Sequence, residues 1–266
     1  MKTKLTAALL LALATVAMAG KGTLTFTDPA GDDNGPGEYI YPTDAVYTKG
    51  SFDLTKMEVK YTDKKVDFKV DVAGKLDDPW GMGVGFAVQM IFIFIDTGEG
   101  GHSDGVPGLN VKFADGHQWN KVVILSPQQK SRVTNEAEMK AEKMLADMVV
   151  PSRTRGKGKS ISGSVKLSDL GGGDPSTWGY QVVVQSNEGF PGETDVLTRK
   201  VNEFEGQHRF GGGNDMDCDP HAVDILAGSA KGEASEVEAQ HAMLSYECDD
   251  EGNATKSATL EMVRLN

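Results

Sequence analysis

The sequence predicts an all-β protein, an antiparallel β-sandwich of jelly-roll or immunoglobulin-like type with one short surface helix inserted. Three observations lead there. Glycine supplies 32 of the 266 residues, nearly twice the usual share of about 7%, as expected of many turns between short elements. Runs of β-branched and aromatic residues recur along the chain, separated by Gly/Pro/Asp/Asn clusters that end strands. One of these runs, residues 65–72, alternates Val66, Phe68, Val70 and Val72 with Lys65, Asp67, Lys69 and Asp71, the period of a strand with one face buried and one in water.

The elements follow in order. Residues 1–19 read as a secretory leader: Lys2 and Lys4, an apolar stretch over 5–17, and Ala17-Met18-Ala19 as a small-x-small cleavage signal. Strands are expected over 23–26, 52–60 and 65–72, the last two joined by a turn at 61–64. Residues 86–95 are apolar at nearly every position, which requires cover on both faces and a central place in a sheet. Strands over 122–125, 160–167 and 180–185 continue the series. Residues 135–149 have the composition of a surface helix. Residues 153–159, with Arg153, Arg155, Lys157 and Lys159, read as a basic mobile loop, and 126–159 as a whole as an insertion. The sandwich is expected over 20–228, with 229–266 as a C-terminal extension packed on it and an alternating stretch at 259–265.

Charge and cysteines narrow the function classes. The formal charge is −12, unsuited to a phosphate backbone, so no nucleic-acid partner is expected. After the leader no run is long enough to span a bilayer. An exported chain (periplasmic, cell-surface or extracellular) sits in an oxidising compartment, where Cys218 and Cys248 form a disulfide or remain two buried thiols.

Enzyme motifs dissolve on inspection. Gly101-His102-Ser103-Asp104-Gly105 matches G-x-S-x-G, but Val106-Pro107-Gly108 follows where a nucleophile elbow needs a helix. Gly81, Gly83 and Gly85 precede a strand instead of joining a strand to a helix. The expectation is a protein without catalysis.

Acidic loops carry more information. Asp28, Asp32, Asp33 and Asn34 lie within one glycine-containing turn, and Asp215, Asp217 and Asp224 form a second group. Clustered carboxylates repel one another, and a hard cation such as calcium converts that cost into binding; the alternative is a polar turn. The second group is not an EF-hand, because proline stands where that loop needs glycine. Trp80 and Trp178 each follow an Asp-Pro turn, where an aromatic ring either stacks on a sugar at a loop rim or closes the core at a strand end.

The strings FTDPAGDDNGPGEYIYPTDAVY, SFDLTKMEVKYTDKKVDFKVDV, DDPWG, IFIDTGEGGHSDGVPGLNVKF, WGYQVVVQSNEGF and RFGGGNDMDCDPHAVDIL together resemble the C-terminal domain of glucodextranase. That family is related to family 9 carbohydrate-binding modules and DOMON-like β-sandwiches. The resemblance implies a calcium-containing sandwich that binds a polysaccharide or cell-envelope glycan, or holds its host at the cell surface, with calcium on Asp28, Asp32, Asp33 and Asn34 first and on Asp215, Asp217 and Asp224 second. A tryptophan pair sandwiches sugar in the related modules, which offers Trp80 and Trp178 that role. Known members are appended to a hydrolase and this chain carries none, so a free module or envelope component is expected. The alternative is a structural envelope protein that contacts other proteins and binds no glycan.

Overall fold

The computed structural model describes residues 20–98, 100–215 and 218–265; the first nineteen residues, Glu99, Met216, Asp217 and Asn266 lie outside them. Two five-stranded sheets face each other. The first has the order β1-β2-β3-β9-β8, and the second the order β11-β10-β4-β6-β7. The first contains β1 (Gly22–Thr27), β2 (Leu54–Tyr61), β3 (Lys65–Val72), β8 (Thr154–Lys157) and β9 (Ser160–Lys166), all antiparallel. The second contains β4 (Gln89–Asp96), β6 (Lys121–Leu125), β7 (Met148–Val149), β10 (Gly179–Ser186) and β11 (Asp224–Ile225). Here only the β6–β7 pair is parallel. Smaller pieces complete the chain: β5 (Lys112–Phe113) pairs with β14 (Thr259–Leu260), and β12 (Glu247–Cys248) with β13 (Ala254–Lys256).

The sequence patterns map onto this layering. In β3 the apolar alternates are buried and the charged ones face solvent, because the first sheet is covered on one side only. All eight residues of β4 are buried. Its odd positions, Ile91, Ile93 and Ile95, enter the core between the sheets. Met90, Phe92 and Phe94 enter a second core on the far side of the sheet, with Trp119, Val133 and Leu260. A bulge in β2 near Leu54 lets both Leu54 and Met57 point inward and frees the Leu54 N–H for a partner outside the ladder.

Two boundaries differ from expectation. The helix α1 spans Lys130–Lys140, earlier than composition placed it, and is followed by a 3-10 turn over Glu142–Asp147 and by β7. Packing decides: Val133 and Ala137, one turn apart, are buried, and Glu136 between them is buried with ion pairs to Arg132 at 2.8 Å and Lys140 at 2.7 Å. The basic run is not a mobile loop. Residues 154–157 are β8, an edge strand paired with β9, whose Arg155 and Lys157 blunt the edge against further pairing.

The tail is tied to the body at several points. Val263 bridges Tyr180 of β10. The helix α2 (Ser235–Leu244) lays Gln240 against the loop after β1, donating to the Asp32 carbonyl at 2.5 Å. Cys218 and Cys248 form a disulfide.

Candidate metal centre and tryptophan surfaces

The acidic site lies where an end of the first sheet meets the edge of the second. Asp28 follows β1, Asp53 precedes β2, and Asp224 opens β11. Asp32 comes from the loop between β1 and β2, which turns tightly at Gly35; there φ is +59°, and a Cβ would come 2.3 Å from the Tyr39 ring. Asp28, Asp32 and Asp224 are buried, and each places a carboxylate oxygen within 4.8 Å of the others.

The hydrogen bonding of these groups is incomplete. Asp224 accepts from the Leu54 N–H at 2.6 Å and from the Ile225 N–H at 2.8 Å. Asp53 accepts from the Gly31 N–H at 2.8 Å through one oxygen. Both oxygens of Asp28, Oδ1 of Asp32 and Oδ1 of Asp53 are buried without a hydrogen-bond partner among the described residues. Such groups cost free energy on the order of 1–3 kcal/mol each, more when charged, unless something satisfies them.

Electrostatics makes the same point. Burial, then Asp32, Glu236 and Asp53, push the Asp28 carboxyl up to about 9. Burial, then Asp33, raise Asp53 to about 7, and burial with Asp33 and Glu236 raises Asp32 to about 6, against the favourable field of its own backbone N–H. Burial, then Asp28 and Asp32, push Asp224 well above the usual carboxylate range. Glu236 behaves oppositely. Burial would raise it, but the Lys231 N–H, the Ser229 hydroxyl and the Gly232 and Glu233 N–H groups hold it below its ordinary value. A carboxylate kept ionised therefore faces neighbours that burial disfavours as anions.

The donor set is all oxygen, with carboxylates and no sulfur or imidazole in the group of three. That suits a hard cation with six to eight oxygen ligands and fits calcium better than zinc or copper. Asp28, Asp32 and Asp224 would hold it, with Asp53 beside them.

The fold redistributes the expected ligands. Asp224, grouped by sequence with Asp215 and Asp217, joins Asp28 and Asp32 instead. Asp215 is exposed, its Oδ1 accepts from the Glu203 N–H at 3.0 Å, and it is not one of the group of three; Asp217 lies outside the described residues. Asp33 is not one of the group of three carboxylates, and Asp33 and Asn34 follow Asp32 in the same loop. Tyr41 donates to Asp33, and the Asn34 side chain meets His241 at 3.3 Å. Asp53, Glu236 and Gln240 were not legible as site residues: they are single polar positions far apart in the chain.

The tryptophans part company. Trp178 is 3% exposed and packs in the inter-sheet core beside Tyr180. It closes the core at the start of β10 and has no face free for a sugar, which corrects the paired-platform expectation. Trp80 is 40% exposed and sits edge-on to His208, so its ring is open to a ligand. At the G-x-S-x-G string, His102 pairs with Asp147 at 2.8 Å, and Asp147 pairs with Lys121. This network ties the 3-10 turn to β6, and no helix follows Ser103.

A family model describing the C-terminal, SLH-like binding module of glucodextranase matches residues 23–262. The chain belongs to that family. The match covers both sheets, the acidic cluster and the tail that bears α2. It defines a binding module and not a catalytic domain. No curated protein matches the chain, and no helix among the described residues is long and apolar enough to cross a membrane.

Proposed function

We propose that this chain is an exported, non-catalytic, calcium-stabilised module that binds a polysaccharide or a cell-envelope glycan. The observation that carries the reading is the family match over residues 23–262. Calcium is supported by the buried Asp28, Asp32 and Asp224 cluster, whose unpartnered oxygens need a cation or protons. Export is supported by the leader-like first nineteen residues and by the disulfide, a bond that persists outside reducing compartments. Trp80 is the aromatic ring open to sugar.

A glycan array and polysaccharide pull-down on the mature, calcium-loaded protein test it. Retention on at least one α-glucan, β-glucan, xylan or cell-wall polymer is expected. Absence of retention on every polymer would sink the glycan reading.

A second reading, an envelope protein that binds other proteins, draws on Phe190 and Phe204, 94% and 72% exposed. Large apolar side chains left this open are the kind that protein contacts cover. Self-association measured by sedimentation, abolished by Phe190→Ser and Phe204→Ser, would favour it.

A further inference from the structure

Among the described residues nothing covers the outer face of the first sheet, whose β2 and β3 side chains there are mostly charged. Register places its side chains in rows across the strands; one row runs Thr25, Glu58, Lys69, Ser162, Arg155. Short serines on β9 between long side chains on β3 and β8 leave a trough of about 380 Å3 floored by Ser162 and Ser164. On β9 its lining runs over Ser162, Gly163 and Ser164, about 10 Å of strand, enough for about two sugar rings of an extended chain.

The two walls differ. On the β2–β3 side the cations are matched: Lys69 lies 2.9 Å from Asp71 and 3.6 Å from Glu58, and Lys65 lies 2.7 Å from Asp67. On the β8 side, neither Arg153 nor Arg155 has a carboxylate partner among the described residues, although both line the trough. Unpaired guanidinium groups on a chain of net charge −12 are placed against the average field of the molecule, and their forked donors match carboxylate or sulfate oxygens.

We infer that this trough binds an anionic polysaccharide, with acid groups on Arg153 and Arg155 and sugar hydroxyls on Asp67, Glu58 and the serine floor. The inference rests on the glycan-binding reading and names the class of glycan and a surface separate from Trp80. The chemistry of the face selects among polyanions. The interleaved carboxylates repel a continuous phosphate backbone, and none of the exposed large apolar side chains (Ile40, Trp80, Met139, Phe190, Phe204) lies on these five strands. The face therefore has neither rings for stacking bases nor anchors for a bilayer. A polymer with hydroxyls and sparse anionic groups matches both walls.

The test compares retention of the mature protein, in calcium buffer, on dextran and on carboxymethyl-dextran of equal length. Preferential retention on carboxymethyl-dextran is expected, weakening as salt rises. The double variant Arg153→Ser/Arg155→Ser should lose about tenfold in affinity for it with an unchanged melting temperature. Removing the same charge elsewhere, in Lys143→Ser/Lys256→Ser, should leave binding intact. Wild-type failure to prefer carboxymethyl-dextran, undiminished binding by the arginine variant, or stronger binding to phosphatidylglycerol vesicles or single-stranded DNA each overturns the inference. Equal retention of both dextrans by wild type and arginine variant would do so while leaving the general glycan reading standing; that reading falls only with the array.

Discussion

Asp28 follows the first strand of one sheet, Asp224 opens the edge strand of the other, and an oxygen of each lies within 4.8 Å of the other and of Asp32. The two sheets are thus joined at this end by groups that repel when ionised. A cation held at that point would turn a local liability into a cross-link between the layers.

Neutralising one member of the cluster should therefore act in opposite directions with and without calcium. Asp224→Asn is expected to abolish the rise in melting temperature that calcium produces, a rise of about 2.7 kcal/mol in stability for wild type at a hundredfold excess over Kd. In chelator at high pH, where the wild-type carboxyls are forced to ionise, the same variant should match or exceed wild type, because one buried anion is gone. Scanning calorimetry of both proteins with calcium and with chelator decides it; an unaltered calcium response in Asp224→Asn removes this residue from the site.

The raised carboxyls also set a pH dependence for the ion-free protein. Asp28 near 9, Asp53 near 7 and Asp32 near 6 all exceed 3.8, so between these values and about 4 the folded chain holds protons that the unfolded chain has lost. Stability in chelator should then rise as pH falls from about 9 toward about 5. Calcium displaces those protons, so the calcium-dependent gain should grow in the opposite direction, being largest at high pH. Melting curves in chelator that fall steadily with acidification over this range would contradict the assignment.

Reduction of the Cys218–Cys248 bond should cost about 3–4 kcal/mol, the loop-closure value for a loop of this size. The bond also holds the segment after α2, and α2 supplies Glu236 and Gln240 to the acidic site. Calcium affinity measured by titration calorimetry should consequently drop in Cys218→Ser/Cys248→Ser. An unchanged affinity would mean that α2 is seated without the disulfide.

The two tryptophans should separate in a binding and stability assay. Trp178→Ala removes a buried ring from the inter-sheet core and should destabilise by about 3–5 kcal/mol. Trp80→Ala should leave the melting temperature close to wild type and, where sugar stacks on the ring, weaken glycan binding by about 1–3 kcal/mol. Equal effects of the two variants on stability would show that Trp80 is structural too.

Much of the layering was legible in the pattern of single strands. Lys65–Val72 showed its exposed and buried faces by strict alternation, and the unbroken apolar run through Ile91, Phe92 and Ile93 announced a strand covered on both sides. The helix boundary was not legible, since Asn135 and Met148 are as compatible with helix as Lys130; the outward core of the second sheet, which takes Val133, chose the register. The run of arginines and lysines read as a loop by composition, yet backbone pairing of Thr154 through Lys157 with β9 makes it an edge strand.

The candidate site divides along the same line. By itself the sequence determined that a hard-cation site was chemically available, because Asp28 and Asp32 are close enough along the chain to share one turn. It also determined an acidic, turn-rich sandwich, while leaving open whether Cys218 and Cys248 pair, which the structure shows that they do. Only tertiary structure decided that Asp224 completes the cluster in place of Asp33, that Asp53 and Glu236 supply its field, that Trp178 is buried while Trp80 is open, and that Arg153 and Arg155 line a trough. The physical reason is range. Strand periodicity and turn chemistry are carried by neighbours a few residues apart, whereas burial and charge–charge repulsion depend on which distant segments the packing of the two sheets brings together.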